Sequence, residues 1–239
     1  MINNNLALAS GSSEFIYYAF SLVALAITSY AQLKINSNYG KYKKVAAKSK
    51  KKGCEVARQI LDKHGLKNVK VEEVEGNLTD HYDPKAKVVR LSTDIYGESS
   101  IAAVSVAAHE CGHAIQDKES YKPMRIRSLL VPIVNFSTKI GYLVITIGLV
   151  SGILKLAGIG LILLLSMLAF QLVTLPVEFD ASRRGKIELD SLHILDKSEQ
   201  KGSKKMLGAA AFTYVASVLS TLFEILRLAM MVLSNRRRD

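Results

Sequence analysis

Two histidines stand four residues apart in His109-Glu110-Cys111-Gly112-His113, with a glutamate directly after the first. Residues i and i+4 of a helix lie one above the other on the same face, so both imidazoles can reach one divalent ion. Glu110 sits beside the first ligand position, where a carboxylate can take a proton from a metal-activated water. This spacing suits zinc-assisted hydrolysis of a peptide bond, with one Zn2+ per chain. The bare pattern fixes only three positions and recurs by chance, but its flanks favour a site. Ala102, Ala103, Val104, Val106, Ala107 and Ala108 make the helix apolar all round, as a buried helix is. Burying two histidines and a carboxylate without a metal would carry a large desolvation cost.

A catalytic zinc needs a third protein ligand. An extension with Gly at 116 and His at 119 is excluded, because Gln116 and Glu119 stand there. Among later acids Glu178 stands out, at the end of the uncharged run Leu156–Val177 in Leu175-Pro176-Val177-Glu178-Phe179-Asp180-Ala181-Ser182. Two apolar passages between His113 and Glu178 return the chain to the side it left, so topology and ligand chemistry agree. Asp180 is the alternative ligand, or a carboxylate that orients a histidine. His81, flanked by Asp80 and Asp83, is a further candidate ligand or substrate contact, although turn chemistry alone accounts for such a histidine. Cys111 falls off the histidine face and reads as a small buried residue.

The elements that position these residues are membrane helices and a small polar domain. Phe15–Leu33, Leu156–Val177 and Met206–Phe223 are uncharged runs of 19, 22 and 18 residues, and a fourth candidate lies near Ile140–Leu154. Roughly 20 apolar residues cross a hydrocarbon core. Pro132 to Pro176 reads as a hairpin of two spans turning near Lys155. In the polar region, Cys54–His64 reads as a helix closed by Gly65, and 69–74 and 87–92 read as strands. The stretch 76–84 between them reads as a loop, and Ser99 or Ser100 caps a motif helix from Ile101 to about Gln116. The expectation is an α+β membrane protein: a small zincin-like domain (helix, short β-sheet, motif helix) fused to about four apolar transmembrane or membrane-embedded helices. Its parts are an N-terminal anchor (1–34), the zincin-like domain (35–127), a transmembrane hairpin (128–177), a third-ligand helix and polar segment (178–205) and a C-terminal membrane segment (206–239).

The net charge of +11 gathers just after the first run, at Lys34, Lys41, Lys43, Lys44, Lys48, Lys50, Lys51 and Lys52. No Lys or Arg precedes that run, so the positive-inside rule places residues after Leu33 in the cytoplasm. The first run lacks the basic start of a cleaved signal peptide and reads as an uncleaved anchor. Attraction to anionic lipid explains the lysines, and no nucleic acid partner is expected. Cys54 and Cys111 form no disulfide framework, in keeping with a reducing cytoplasmic face. Glu224 and Arg227 interrupt the last apolar region one turn apart, where they can pair. That interruption and the terminal Arg236-Arg237-Arg238 leave the topology of 206–239 open between a span and a re-entrant or interfacial helix.

The chain resembles the YugP-like family of neutral zinc metallopeptidases of bacterial membranes. The matching stretches are 76–84, Val89-Arg90-Leu91-Ser92-Thr93, 107–117 around the histidine motif, and 171–182 around Glu178. It is also similar to HtpX-type membrane gluzincins, in which two spans separate the histidine motif from a glutamate ligand. Those carry Glu-x-x-Ala-Asp where this chain has Glu178-Phe179-Asp180-Ala181-Ser182, so the resemblance does not carry a role onto Asp180. The resemblance implies a peptidase of the bacterial membrane and does not supply its substrates. Together with the apolar runs and the placement of the lysines, the expectation is a multi-pass protease of the cell membrane, with its active site on the cytoplasmic side and a polypeptide as substrate. In such a gluzincin layout, Val88–Ser92 would be the sheet edge that receives substrate. The rival reading is a non-catalytic membrane scaffold or chaperone with a structural zinc, which would favour four closed protein ligands. Neither reading fixes the oligomeric state.

Overall fold

The computed structural model describes the backbone of residues 2–235 and the side-chain surroundings of residues 15–233. Arg236-Arg237-Arg238 lie outside the described residues, as do the side chains ahead of Phe15 on which the orientation argument draws. In chain order the elements are α1 (Ile2–Tyr42), α2 (Gly53–Lys63), β1 (Lys70–Val74), β2 (His81–Asp83), β3 (Val88–Ser92), α3 (Thr93–Gly97), α4 (Ile101–Lys118), α5 (Lys122–Val150), α6 (Leu154–Ser191) and α7 (Lys197–Asn235). The protein is mostly helical with one small sheet. Among the described residues four helices are long and apolar enough to cross a membrane: Phe15–Tyr42, Lys122–Val150, Leu154–Ser191 and Lys197–Leu233.

The chain divides into two compact units. One comprises Met1–Ala31, Leu129–Leu172 and Tyr214–Asp239, and within it Ile145, Leu164, Ile225 and Leu228 form a small buried cluster. Here Glu224 and Arg227 do pair, with Arg227 Nε 2.9 Å from Glu224 Oε2. The other unit comprises Gln32–Ser128 and Val173–Thr213 and holds the larger core, built around α2, β3 and α4.

Local chemistry explains the elements of this second unit. Ser100 Oγ accepts the Ala103 N–H at 3.1 Å and starts α4. Gly65, at φ +67°, stands just past α2 in the left-handed conformation that ends a helix. The apolar helix α4 is buried from Ile101 to Gln116 on nearly every face.

Two expectations need correction. Residues 81–83 are not loop: they pair antiparallel with β3, His81 opposite Arg90 and Asp83 opposite Val88. Nor is Val88–Ser92 an edge. The strand order is β1-β3-β2, with β1 parallel to β3, so both sides of β3 are occupied. Its burial already says so, because Val88, Val89, Leu91 and Ser92 are all enclosed, as in an interior strand covered on both faces. The expected helical hairpin is present, α5 and α6 meeting close to Lys155. The turn falls at 151–153, and α6 then runs unbroken through Pro176 to Ser191. A proline costs a helix roughly 3 kcal/mol in water but is tolerated where neighbouring groups take up the freed backbone atoms. Glu178 therefore rides on the same helix as the apolar run before it.

Candidate metal centre

The site begins with two helices brought unusually close. A Cβ added to Gly112 of α4 would lie 2.5 Å from the Ala181 carbonyl oxygen of α6. One added to Gly185 would lie 2.9 Å from the Ala108 carbonyl. Ala108 and Gly112 are one turn apart on α4, and Ala181 and Gly185 one turn apart on α6, in reversed order. The two helices thus run antiparallel with backbone against backbone, which only missing side chains permit. Gly112, the fourth position of the histidine motif, is required by this approach.

The approach sets Glu178 against the two histidines. His109 Nε2 lies 3.3 Å and His113 Nε2 3.6 Å from Glu178 Oε2. One ligand atom from each of the three lies within 4.8 Å of the others. Glu178 is 3% exposed, and its Oε2 is buried without a hydrogen-bond partner. An unpaired buried acceptor costs about 1–3 kcal/mol, more when charged. Ligands about 2.1 Å from a shared tetrahedral ion stand roughly 3.4 Å apart, so the orphaned oxygen and two nitrogens fit one zinc. Among the described residues no other set of three His, Cys, Asp or Glu side chains gathers in this way.

The far side of each imidazole is anchored. His109 Nδ1 lies 3.1 Å from Ser182 Oγ, and Ser182 is one turn beyond Glu178 on α6. His113 Nδ1 lies 3.0 Å from Gln116 Oε1. Gln116 Nε2 donates to the Val177 carbonyl at 2.8 Å and to Asp180 Oδ2 at 3.0 Å. Both of those are acceptors, so the amide nitrogen must face them and Oε1 must face His113. His113 therefore carries its proton on Nδ1, leaving the Nε2 lone pair toward Glu178. Burial alone would push the His113 pKa down. The carboxylates of Glu178 and Glu110 outweigh it and hold the imidazole above its ordinary value.

Asp180 does not join the three gathered side chains. Its carboxylate is held by Gln116, by Arg183 and by Arg184, and touches His113 only through Gln116. His81 is also turned elsewhere: Nδ1 lies 2.8 Å from the Thr79 carbonyl and Nε2 3.3 Å from Arg90. From that stretch it is the neighbouring Asp80 that bears on the site. Its Oδ1 accepts the Ser92 N–H at 2.7 Å, tying the start of β2 to the end of β3. Burial raises the Asp80 pKa, the Ser92 hydrogen bonds oppose this, and the nearby charge of Glu110 adds to it.

Glu110 is 7% exposed, beside His109 on α4. Arg127 of α5 places Nη1 3.7 Å from Glu178 Oε1, the oxygen turned away from the histidines. The Cys111 thiol faces the Ala57 carbonyl at 3.5 Å, and burial pushes its pKa up, so it stays a neutral thiol off the site. Gln116, Ser182, Asp80 and Arg127 were not singled out by sequence reasoning as site residues. Only Gln116 carries a signal: a polar residue three positions after the second histidine, on the histidines' own face of the helix.

A family model described as "Putative neutral zinc metallopeptidase" matches residues 17–233. The chain is also similar to a protein of Bacillus subtilis (strain 168) named "Putative membrane protease YugP". The two are 47% identical over 221 residues, which cover 92% of this chain and 98% of that relative. No solved structure matches the chain.

Proposed function

From the premise that the chain belongs to this neutral zinc metallopeptidase family, we propose that it is a membrane-bound, zinc-dependent endopeptidase of the gluzincin type. In this reading residues 35–127 with the third-ligand helix form a zincin-like domain, and His109, His113 and Glu178 hold one zinc. The observation that carries it is the buried, unpartnered Glu178 Oε2 beside the two histidine nitrogens. Bound there, zinc supplies a water acidified to a pKa of about 7 and polarises the scissile carbonyl. Glu110 takes the proton of the attacking water and passes it to the departing amide nitrogen, acting first as base and then as acid. Ser182 and Gln116 keep the histidine rings turned, and Asp180 steadies Gln116. Arg127 offers a positive charge beside the ligand set, where negative charge develops on the carbonyl oxygen.

The substrate is a polypeptide and the protein is multi-pass, with its centre on the cytoplasmic side. Lys41 to Lys52 and the three ligands belong to one compact unit, so the side that holds those lysines holds the centre. A structural zinc would need a fourth protein ligand, and among the described residues none joins the three.

The test is zinc content and casein cleavage of detergent-purified protein, wild type beside Glu110→Gln. About one zinc per chain in both, with cleavage by the wild type alone, is expected. Normal cleavage by Glu110→Gln would refute the role of Glu110, and zinc-free wild type would refute the centre itself.

A further inference from the structure

We propose that Lys186, Lys197, Lys201 and Lys204 form a binding site for a phosphate-bearing anion at the junction of α6 and α7. The site is separate from the metal centre and does not rest on the peptidase reading. Lys197, Lys201 and Lys204 recur at i, i+4 and i+7 and so share one face of α7. With the half-buried Lys186 of α6 they line one cavity of about 230 Å³, which Leu189 and Leu195 also border.

The charges in this cavity are unbalanced. The acids nearby on the two helices and their connection have other partners, and only Asp190 reaches the cavity's rim, through the lining residue Gln200. Glu188 pairs with Lys63 at 2.7 Å and meets His64 at 2.9 Å. Asp190 accepts from Gln200 at 2.6 Å. Asp196 caps α7 through the Ser198 and Glu199 N–H groups and pairs with Lys48. Glu199 turns back to accept the N–H groups of Lys48 and Asp196. Among the described residues none of these acids pairs with any of the four lysines.

Lysines on a convex surface separate into water. Four that converge on a concave wall with an apolar border focus their field into the cavity instead, and an anion placed there relieves their mutual repulsion. Lysine donates and cannot accept, so the complementary ligand is an acceptor-rich anion, and compact ammonium charges suit phosphate. The cavity has the volume of about eight waters at roughly 30 Å³ each, room for a phosphate and part of what bears it. Two sources share this chemistry: a soluble phosphate compound, and a phospholipid headgroup. The second is open because α7 becomes apolar at Met206, two residues beyond Lys204.

The experiment uses the full chain with two probes. Inorganic pyrophosphate is titrated calorimetrically into detergent-purified protein at low salt. Native mass spectrometry then scores phosphatidylglycerol retained after extraction from mixed phosphatidylcholine–phosphatidylglycerol vesicles. The wild type is expected to take up at least one probe, and the triple variant Lys197→Gln/Lys201→Gln/Lys204→Gln to bind it at least tenfold more weakly. Lys205→Gln, on the same helix but outside the cavity, should match the wild type. Uptake of pyrophosphate alone identifies a soluble ligand, and uptake of the lipid alone a headgroup. If circular dichroism finds the triple variant misfolded, Lys201→Gln alone serves, with about threefold weaker binding expected. Wild type and cavity variants that behave alike toward both probes would overturn the site.

Discussion

Replacing Gln116 by Met tests whether the centre depends on more than its three ligands. Gln116 is fully buried and makes three hydrogen bonds, to His113 Nδ1, the Val177 carbonyl and Asp180. Methionine matches its length and removes all three. At about 1 kcal/mol for each net hydrogen bond, the apoprotein should lose roughly 3 kcal/mol of stability. The zinc affinity should fall separately, because His113 loses the acceptor that fixes its tautomer and ring angle. Loss of such a partner typically costs 10–100-fold in metal affinity, about 1.4–2.7 kcal/mol. Gln116→Glu divides the two effects. It keeps an acceptor for His113 but sets a carboxylate against Asp180 and the Val177 carbonyl, so it should retain zinc affinity and still be destabilised. The assays are competition for zinc against a chelator of known affinity, and denaturation of the metal-free protein in one detergent. Wild-type zinc affinity in a folded Gln116→Met protein would refute the orienting role, whatever its stability.

Other consequences can be measured alongside. Glu178→Gln should lower zinc occupancy by at least tenfold at fixed free zinc, whereas Glu110→Gln should leave occupancy unchanged, as read by atomic absorption. Equal loss in both variants would contradict the division of roles. Gly112→Ala forces a methyl into the Ala181 carbonyl and should cost about 1–3 kcal/mol while lowering zinc occupancy. A variant that binds zinc and melts like the wild type would show that the helices need no such approach. Arg127→Gln should reduce kcat by about 10–100-fold with KM changed less than threefold. A change confined to KM would move Arg127 from the transition state to substrate binding. Chelation should abolish casein cleavage and added zinc restore it, and activity that survives full zinc removal would end the metallopeptidase reading.

Much of this protein is local, and local features are legible in a sequence. The spacing of His109 and His113 fixes their shared helix face wherever the helix packs. The caps at Ser100 and Gly65, the β-branched strands at 70–74 and 88–92, and the long uncharged runs need only near neighbours to act. The place of Glu178 beside the histidines was reachable because parity is a sequence property: an even number of apolar passages was expected to return the chain to the side it left. The strand at His81–Asp83 escaped notice because three residues carry too little pattern to outweigh the turn formers around them. What the sequence could not settle depends on partners distant along the chain. Whether β3 is an edge or a centre is decided by which strands flank it. Asp180 attracts attention by its place beside Glu178, yet it acts on His113 only through Gln116. That chain of contacts exists because Gly112 and Gly185 let α4 and α6 touch backbone to backbone. Such a touch is a relation between two helices some 70 residues apart, and either glycine read alone is only a weak point in a helix.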